Sequence, residues 1–187
     1  MKPFPAFFTL VLAINGFSGF AQTVQITFDD APPLAPGAQF FTNQYTEAGL
    51  LFKPLGDVST TDGLIRNPGG LADFPDDGSA YLQTVGVRSL EFFAMDGNSF
   101  DLTSVDLAEY STFFAFPKTV TFIGFKKRGR TVEKTFTTDG IISGTEPLAD
   151  FETFKFDSHW KDVMLVRVQP DFYSFSLDNV VVRKRSR

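Results

Sequence analysis

Apolar and polar residues alternate with a period of two through ten short stretches of this chain, the pattern of strands that bury one face. The stretches are TVQITF (23–28), GLLFKPL (49–55), AYLQTV (80–85), SLEFFAM (89–95), FDLTSVDLAEY (100–110), TVTFIGFKK (119–127), TVEKTFTT (131–138), FETFKF (151–156), VMLVRVQ (163–169) and FYSFSLDNVVV (172–182). Between them stand DAPPLAPG, NPGG, PDDG, DGN and RGR, whose prolines preset φ and whose glycines permit positive φ. No stretch has the spacing of a long amphipathic helix, and TEAGLL has room for one helical turn. Residues 56–79 carry little strand signal; a loop of that length in a compact domain is either functional or ill-ordered. Short strands, hairpin-length connections and no helices to cover a parallel sheet predict an all-β fold, a two-sheet antiparallel jelly-roll sandwich.

The amino terminus departs from this pattern. MKPFPAFFTLVLAINGFSGFAQ has one positive charge at Lys2, an apolar run, and the small residues Gly19 and Ala21 around Phe20, the layout of a cleaved secretory signal. The expected division is residues 1–21 as signal peptide, cut after Ala21, and 22–187 as one domain, secreted and extracellular. An uncleaved anchor is the alternative, but Asn15, Gly16 and Ser18 interrupt a run already short for a span of about 20 residues. No later stretch is long and apolar enough to cross a bilayer, so no transmembrane anchor is expected after cleavage. The chain has no cysteine, so core burial rather than disulfides must hold it together.

Cleavage removes Lys2 and no acid, so the 17 basic and 22 acidic residues of the chain become 16 and 22, a net charge of −6. That balance argues against a general nucleic-acid binder. Half of the remaining basic residues sit in KKRGR (126–130) and RKRSR (183–187). They read as a solvated hairpin tip and a solvated terminus, with an anionic polysaccharide or a membrane surface as the other use.

Acids interrupt the pattern at both ends of the domain. In VQITFDD, Asp30 follows Val24, Ile26 and Phe28 on one parity while Asp29 sits with Gln25 and Thr27. In YSFSLDNVVV, Asp178 shares a face with Ser174 and Ser176, and that face turns apolar at Val180 and Val182. Asp178 therefore stands where an outer face turns inward, and a half-buried carboxylate there needs hydrogen bonds or a cation. First and last strands of a sandwich are often neighbours, so Asp29, Asp30, Asp178 and Asn179 are expected to converge. Gathered carboxylates and an amide carbonyl make a hard-oxygen site suited to a structural Ca²⁺. The alternative is local: Asp29 and Asp30 cap the turn into APPLAPG, and Asp178 and Asn179 bond nearby amides.

The order ITFDD, EAGLLF, FDLTSVDLAE, VTFIGFKKRGRTVEKTFTTDG, FETFKF and FSLDNVVV resembles a family of exported bacterial β-sandwich domains often attached to surface-sorting tails. That family is similar in plan to galactose-binding-like carbohydrate-binding modules. The resemblance implies that an acid near the first strand and one in the last, here Asp30 and Asp178, share a structural calcium. It also implies a glycan or polysaccharide partner. The sorting tail is missing from the resemblance, and the family's row of exposed tryptophans is reduced to Trp160.

KFDSHWKD holds the only histidine and the only tryptophan, side by side. An exposed Trp160 would stack on a sugar ring while Asp157, His159 and Lys161 bond its hydroxyls; a buried Trp160 would plug one end of the sandwich. Catalytic patterns are weak: a single histidine with no cysteine excludes a Cys–His pair, and there is no GxSxG and no metal-binding histidine cluster. A carboxylate pair drawn from Glu47, Asp62, Asp73, Asp76, Asp77 and Glu91 is the remaining enzymatic route. The expectation is thus a non-catalytic, lectin-like carbohydrate-binding module with a calcium site. A matrix or surface protein-interaction domain is the alternative, and a polysaccharide-active enzyme comes third.

Overall fold

The computed structural model describes residues 21–30, 34–55, 63–84, 89–142, 150–172 and 174–185. In chain order its strands are β1 (Ala21–Ile26), β2 (Gln39–Thr42), β3 (Tyr45–Glu47), β4 (Leu50–Leu55), β5 (Gly63–Arg66), β6 (Tyr81–Thr84) and β7 (Ser89–Ala94). They continue with β8 (Phe100–Ala108), β9 (Thr119–Lys126), β10 (Thr131–Thr137), β11 (Glu152–Lys155), β12 (Val163–Pro170) and β13 (Ser176–Arg185). Every pairing is antiparallel, and the helical pieces among the described residues are single 3₁₀ turns. The all-β expectation holds.

The pairings form two layers. One runs β2-β5-β6-β13-β8-β11, with β1 also on β13; the other runs β3-β4-β7-β12-β9-β10. A single pair, Val163 with Phe100, stitches them together. Aromatic residues fill the space between. Phe28, Phe52, Phe92 and Phe100 follow one another with ring centroids 5.1, 5.1 and 6.0 Å apart. At the other end Phe136 meets Phe154 at 4.7 Å and Phe156 meets Trp160 at 4.6 Å. Contacts at these spacings are worth roughly 0.5–1.5 kcal/mol each beyond the area they bury.

Ten of the strands lie where the alternation puts them, and three were not legible in it. β2 and β3 are short and polar-flanked, and β5 lies inside residues 56–79, where the sequence pattern predicts a loop. All four residues of β5 are buried because it is an inner strand, between β2 and β6, so no alternation survives to mark it. TEAGLL is a hairpin turn and not a helical one: Ala48 (φ 47°) and Gly49 (φ 74°) link β3 to β4, the two consecutive positive φ values of a type I′ connection.

The carboxy terminus also reads differently in three dimensions. Residues 1–20 of the expected signal lie outside the described residues, while Ala21 already pairs with Arg185. The basic tail is not a solvated terminus: β13 continues through Arg185, Arg183 pairs with Thr23 and with Asp101, and the Lys184 ammonium donates to the Ala48 carbonyl. The tip at 126–130 is solvated as expected, turning at Arg128 (φ 65°) and Gly129 (φ 72°).

Candidate functional site

The two ends of the domain lie side by side. β1 pairs with β13 from Ile26↔Val180 to Ala21↔Arg185, while β6 pairs with the earlier part of β13 at Ser176 and Leu177. Asp178 and Asn179 occupy the gap where the neighbour of β13 changes from β6 to β1. There the ladder to β8 slips between Asp178 and Val181, and Asn179 takes φ 46°. A bulge adds one residue and reverses the inward face, which is why Phe175 and Leu177 share the core with Val180 and Val182 despite their opposite parities. The interruption in the alternation is this bulge.

Asp178 is fully buried on the outer side of its layer, covered by the chain that leads into β6. The Ser79 hydroxyl lies 3.0 Å from Asp178 Oδ2 and 2.6 Å from Asp77 Oδ1. A hydroxyl has one proton, so it serves one of these carboxylates and leaves the other short of a donor. Asn179 Nδ2 reaches Asp178 Oδ2 at 3.2 Å, and Gln25 Nε2 reaches Asn179 Oδ1 at 2.5 Å. Among the described residues Asp178 Oδ1 meets no donor in good hydrogen-bond geometry. Burial, then the hydrogen-bonding contact and charge of Asp77, push the Asp178 carboxyl up to about 10. At neutral pH this pair demands a positive species, either a proton or a cation.

Asp29 belongs to the same construction: its Oδ1 accepts the Ala80 amide at 2.8 Å, next to the serine that bonds Asp178. Asp30 does not follow the expected parity. β1 ends at Ile26 and Phe28 turns left-handed (φ 58°), so the alternation stops before the acids. The Asp30 side chain is exposed, and its amide serves the Tyr45 hydroxyl. Sequence reasoning singled out Asp77 only as a candidate catalytic acid and missed Ser79, although PDDG marked a turn with two acids.

Near KFDSHWKD the indole is inside. Trp160 is 1% exposed, packed on Phe156 and against Gly124, where an added Cβ would lie 2.9 Å from Trp160 Cζ3. It cannot stack on a sugar, so of the two readings of Trp160 the core plug describes it. Asp157 caps the 3₁₀ turn Ser158–Trp160 by accepting the His159 amide at 2.8 Å, and that bond holds its carboxyl below the usual range. The His159 ring is exposed and lies 3.1 Å from the same Asp157 oxygen.

A pocket of about 220 Å³ opens beside this turn. Its apolar lining is Leu102 and Phe156; Asp101, Asp157, Lys161 and Arg183 supply two acids and two bases, with Thr103 and Ser158 between them. Asp101 is buried and accepts the Asp162 amide at 3.0 Å. Of the four residues expected to bind ligand, the fold brings Asp157 and Lys161 to this pocket; His159 and Trp160 are not among its walls.

The described acids among those considered for glycoside cleavage make structural contacts. Glu47 is buried and accepts the Thr27 and Phe28 amides and the Tyr45 hydroxyl. Glu91 is paired with Arg167 at 2.6 Å, and Asp76 accepts the Gly70 and Gly78 amides. Asp73 accepts from the Thr112 hydroxyl at 3.3 Å, and Asp62 lies outside the described residues. No helix among the described residues is long and apolar enough to cross a membrane.

No family model matches the chain, and no curated protein matches it. Solved structures do. A DUF4465 family protein from Bacteroides caccae ATCC 43185 superposes with a TM-score of 0.59 at 13% identity, over 86% of this chain and 98% of that one. The K1 cleaved adhesin domain of Lys-gingipain from Porphyromonas gingivalis W83 has a TM-score of 0.50 at 10% identity, over 89% and 99%. A family 29 carbohydrate-binding module is more distant, with a TM-score of 0.44 at 12% identity over 88% and 92%. At such identities the first two show a shared fold and nothing about ligands.

Proposed function

We propose that this chain is a secreted, non-catalytic, lectin-like carbohydrate-binding module whose binding pocket lies between Asp157, Lys161, Asp101 and Arg183. The observation that carries the reading is the composition of that pocket. Sugar hydroxyls both donate and accept, and here two acids, two bases and two hydroxyl residues line one pocket with Leu102 and Phe156. Its volume suits a single sugar ring and is below the roughly 300–1,000 Å³ of pockets for drug-sized ligands. A glycan array followed by calorimetry tests it. Binding to a defined glycan should weaken at least tenfold in Lys161→Ala and in Arg183→Ala while the melting temperature holds. No binding to any glycan ends the proposal, and binding untouched by either change removes this pocket from it.

The same reading includes a structural Ca²⁺ at Asp178, with the Asp77 carboxylate as its second oxygen donor. The buried, donorless Oδ1 of Asp178 beside a second carboxylate supports an ion there. The ion would stand in for the missing proton and tie the chain ahead of β6 to the last strand. Chelation should lower the melting temperature, and an unchanged melt would exclude the ion.

A second reading, protein interaction at a surface or matrix, is favoured by Phe113, Phe116 and Phe172, which are 82, 37 and 51% exposed. Phe116 and Phe172 have ring centroids 6.3 Å apart, so part of this apolar surface is contiguous. Loss of adhesion in Phe113→Ser with glycan binding absent would favour it.

A further inference from the structure

Three acids outside the sites above come together where β8, β10 and β11 end. Glu109 follows the last residue of β8, Asp139 lies two residues past β10, and Glu152 opens β11. β11 pairs with β8 through Glu152↔Leu107, while the Phe136 and Phe154 rings bring β10 onto β11 from the facing layer. Oxygens of the three carboxylates all lie within 4.8 Å of one another.

Each acid is fixed by backbone. The turn after β10 donates the Gly140 amide to Glu109 Oε1 at 2.8 Å and the Asp139 amide to Glu152 Oε1 at 2.7 Å. Asp139 Oδ1 is held by the Ile141 amide at 2.8 Å. The turn itself is set by Gly140 (φ 85°), packed so closely on Pro117 that an added Cβ would sit 2.5 Å from its Cδ. The Thr138 hydroxyl donates to Glu109 Oε1 as well. Backbone amides thus hold one oxygen of each of the three carboxylates in place.

Glu109 is fully buried, and its second oxygen, Oε2, has no hydrogen-bond donor among the described residues. Burial raises the Glu109 carboxyl, as it does that of Glu152, and the Asp139 charge raises both further. Lys118 is the nearby base, but its ammonium lies over the Phe116 ring, 3.6 Å from the centroid, and it faces Asp171 as well as Glu109. The donors are all oxygens, with no nitrogen or sulfur among them, the set preferred by hard divalent ions. Metal–oxygen bonds of about 2.3–2.6 Å let one Ca²⁺ bridge oxygens separated by this much.

We propose that Glu109, Asp139 and Glu152 form a divalent-cation site for Ca²⁺, separate from the one at Asp178, that clamps the ends of β8, β10 and β11 across the two layers. It does not depend on the carbohydrate reading or on the Asp178 ion. Equilibrium dialysis with Ca²⁺ on the full chain should find two ions per molecule. Glu152→Gln and Asp139→Asn, which keep their amide-accepting oxygens, should each weaken one site at least tenfold and leave the other, while Asp178→Asn removes only the other. One ion lost in Asp178→Asn but unaffected by Glu152→Gln overturns this site alone. One ion lost in Glu152→Gln but kept in Asp178→Asn supports it and removes the other, and no bound ion overturns both. For a variant that folds poorly, terbium soaked into wild-type crystals tests the site without any substitution: an anomalous peak among the three carboxylates supports it, and none overturns it.

Discussion

Replacing Asp178 by asparagine keeps the shape of the side chain and removes its titration. In the folded protein without a cation, the carboxyl is pushed up to about 10, first by burial and then by Asp77; in the unfolded chain it titrates near ~3.9. The folded value is the higher one, so this group favours folding fully below pH ~4 and loses that contribution as pH climbs toward 10. Over that window the folded state holds about one proton more, which gives a slope of about −1.4 kcal/mol per pH unit. Between pH 6 and 8 the chelated protein should therefore lose roughly 3 kcal/mol through this group. A bound Ca²⁺ takes the place of the proton, so saturating calcium should flatten the slope. Urea unfolding followed by the fluorescence of the buried Trp160, at pH 6, 7 and 8 in chelator and in calcium, measures it. Subtracting the Asp178→Asn curves isolates the group from Glu109 and Glu152, which burial also raises. If wild type and variant run parallel in chelator from pH 6 to 8, the reasoning about the Asp77–Asp178 pair fails.

Glu47→Gln should cost about 2 kcal/mol or more in chemical denaturation, because in either orientation the new amide nitrogen would face the Thr27 or the Phe28 backbone amide and leave a donor unmatched. Gly124→Ala should cost about 1–3 kcal/mol by overpacking, since the new Cβ would crowd Trp160, Val132 and Val163 together; a neutral effect in thermal melts would mean the indole has room to move. Deleting residues 183–187 should destabilise by about 2 kcal/mol, because the strand loses its pairing with β1 and β8 there. A change of only a few tenths in the urea midpoint would return the tail to a solvated terminus.

Alternation alone was enough to place ten strands and the all-β class, because side-chain period is a local property of a chain that buries one face. It also located the disturbance at Asp178, since an acid between apolar residues has to be accommodated somehow. It could not show β5, whose two paired neighbours bury every residue, nor the end of the alternation at Phe28, where one left-handed residue shifts the register from Asp30 to Asp29. Whether Trp160 faced a ligand or the core turned on Gly124, a residue 36 positions earlier that leaves space for the indole. The company of Asp178, namely Asp77 and Ser79, was likewise set by a segment about a hundred residues away in the chain. Local pattern determines which faces are buried; what each buried polar atom meets depends on contacts between distant segments, and those only the packed layers decide.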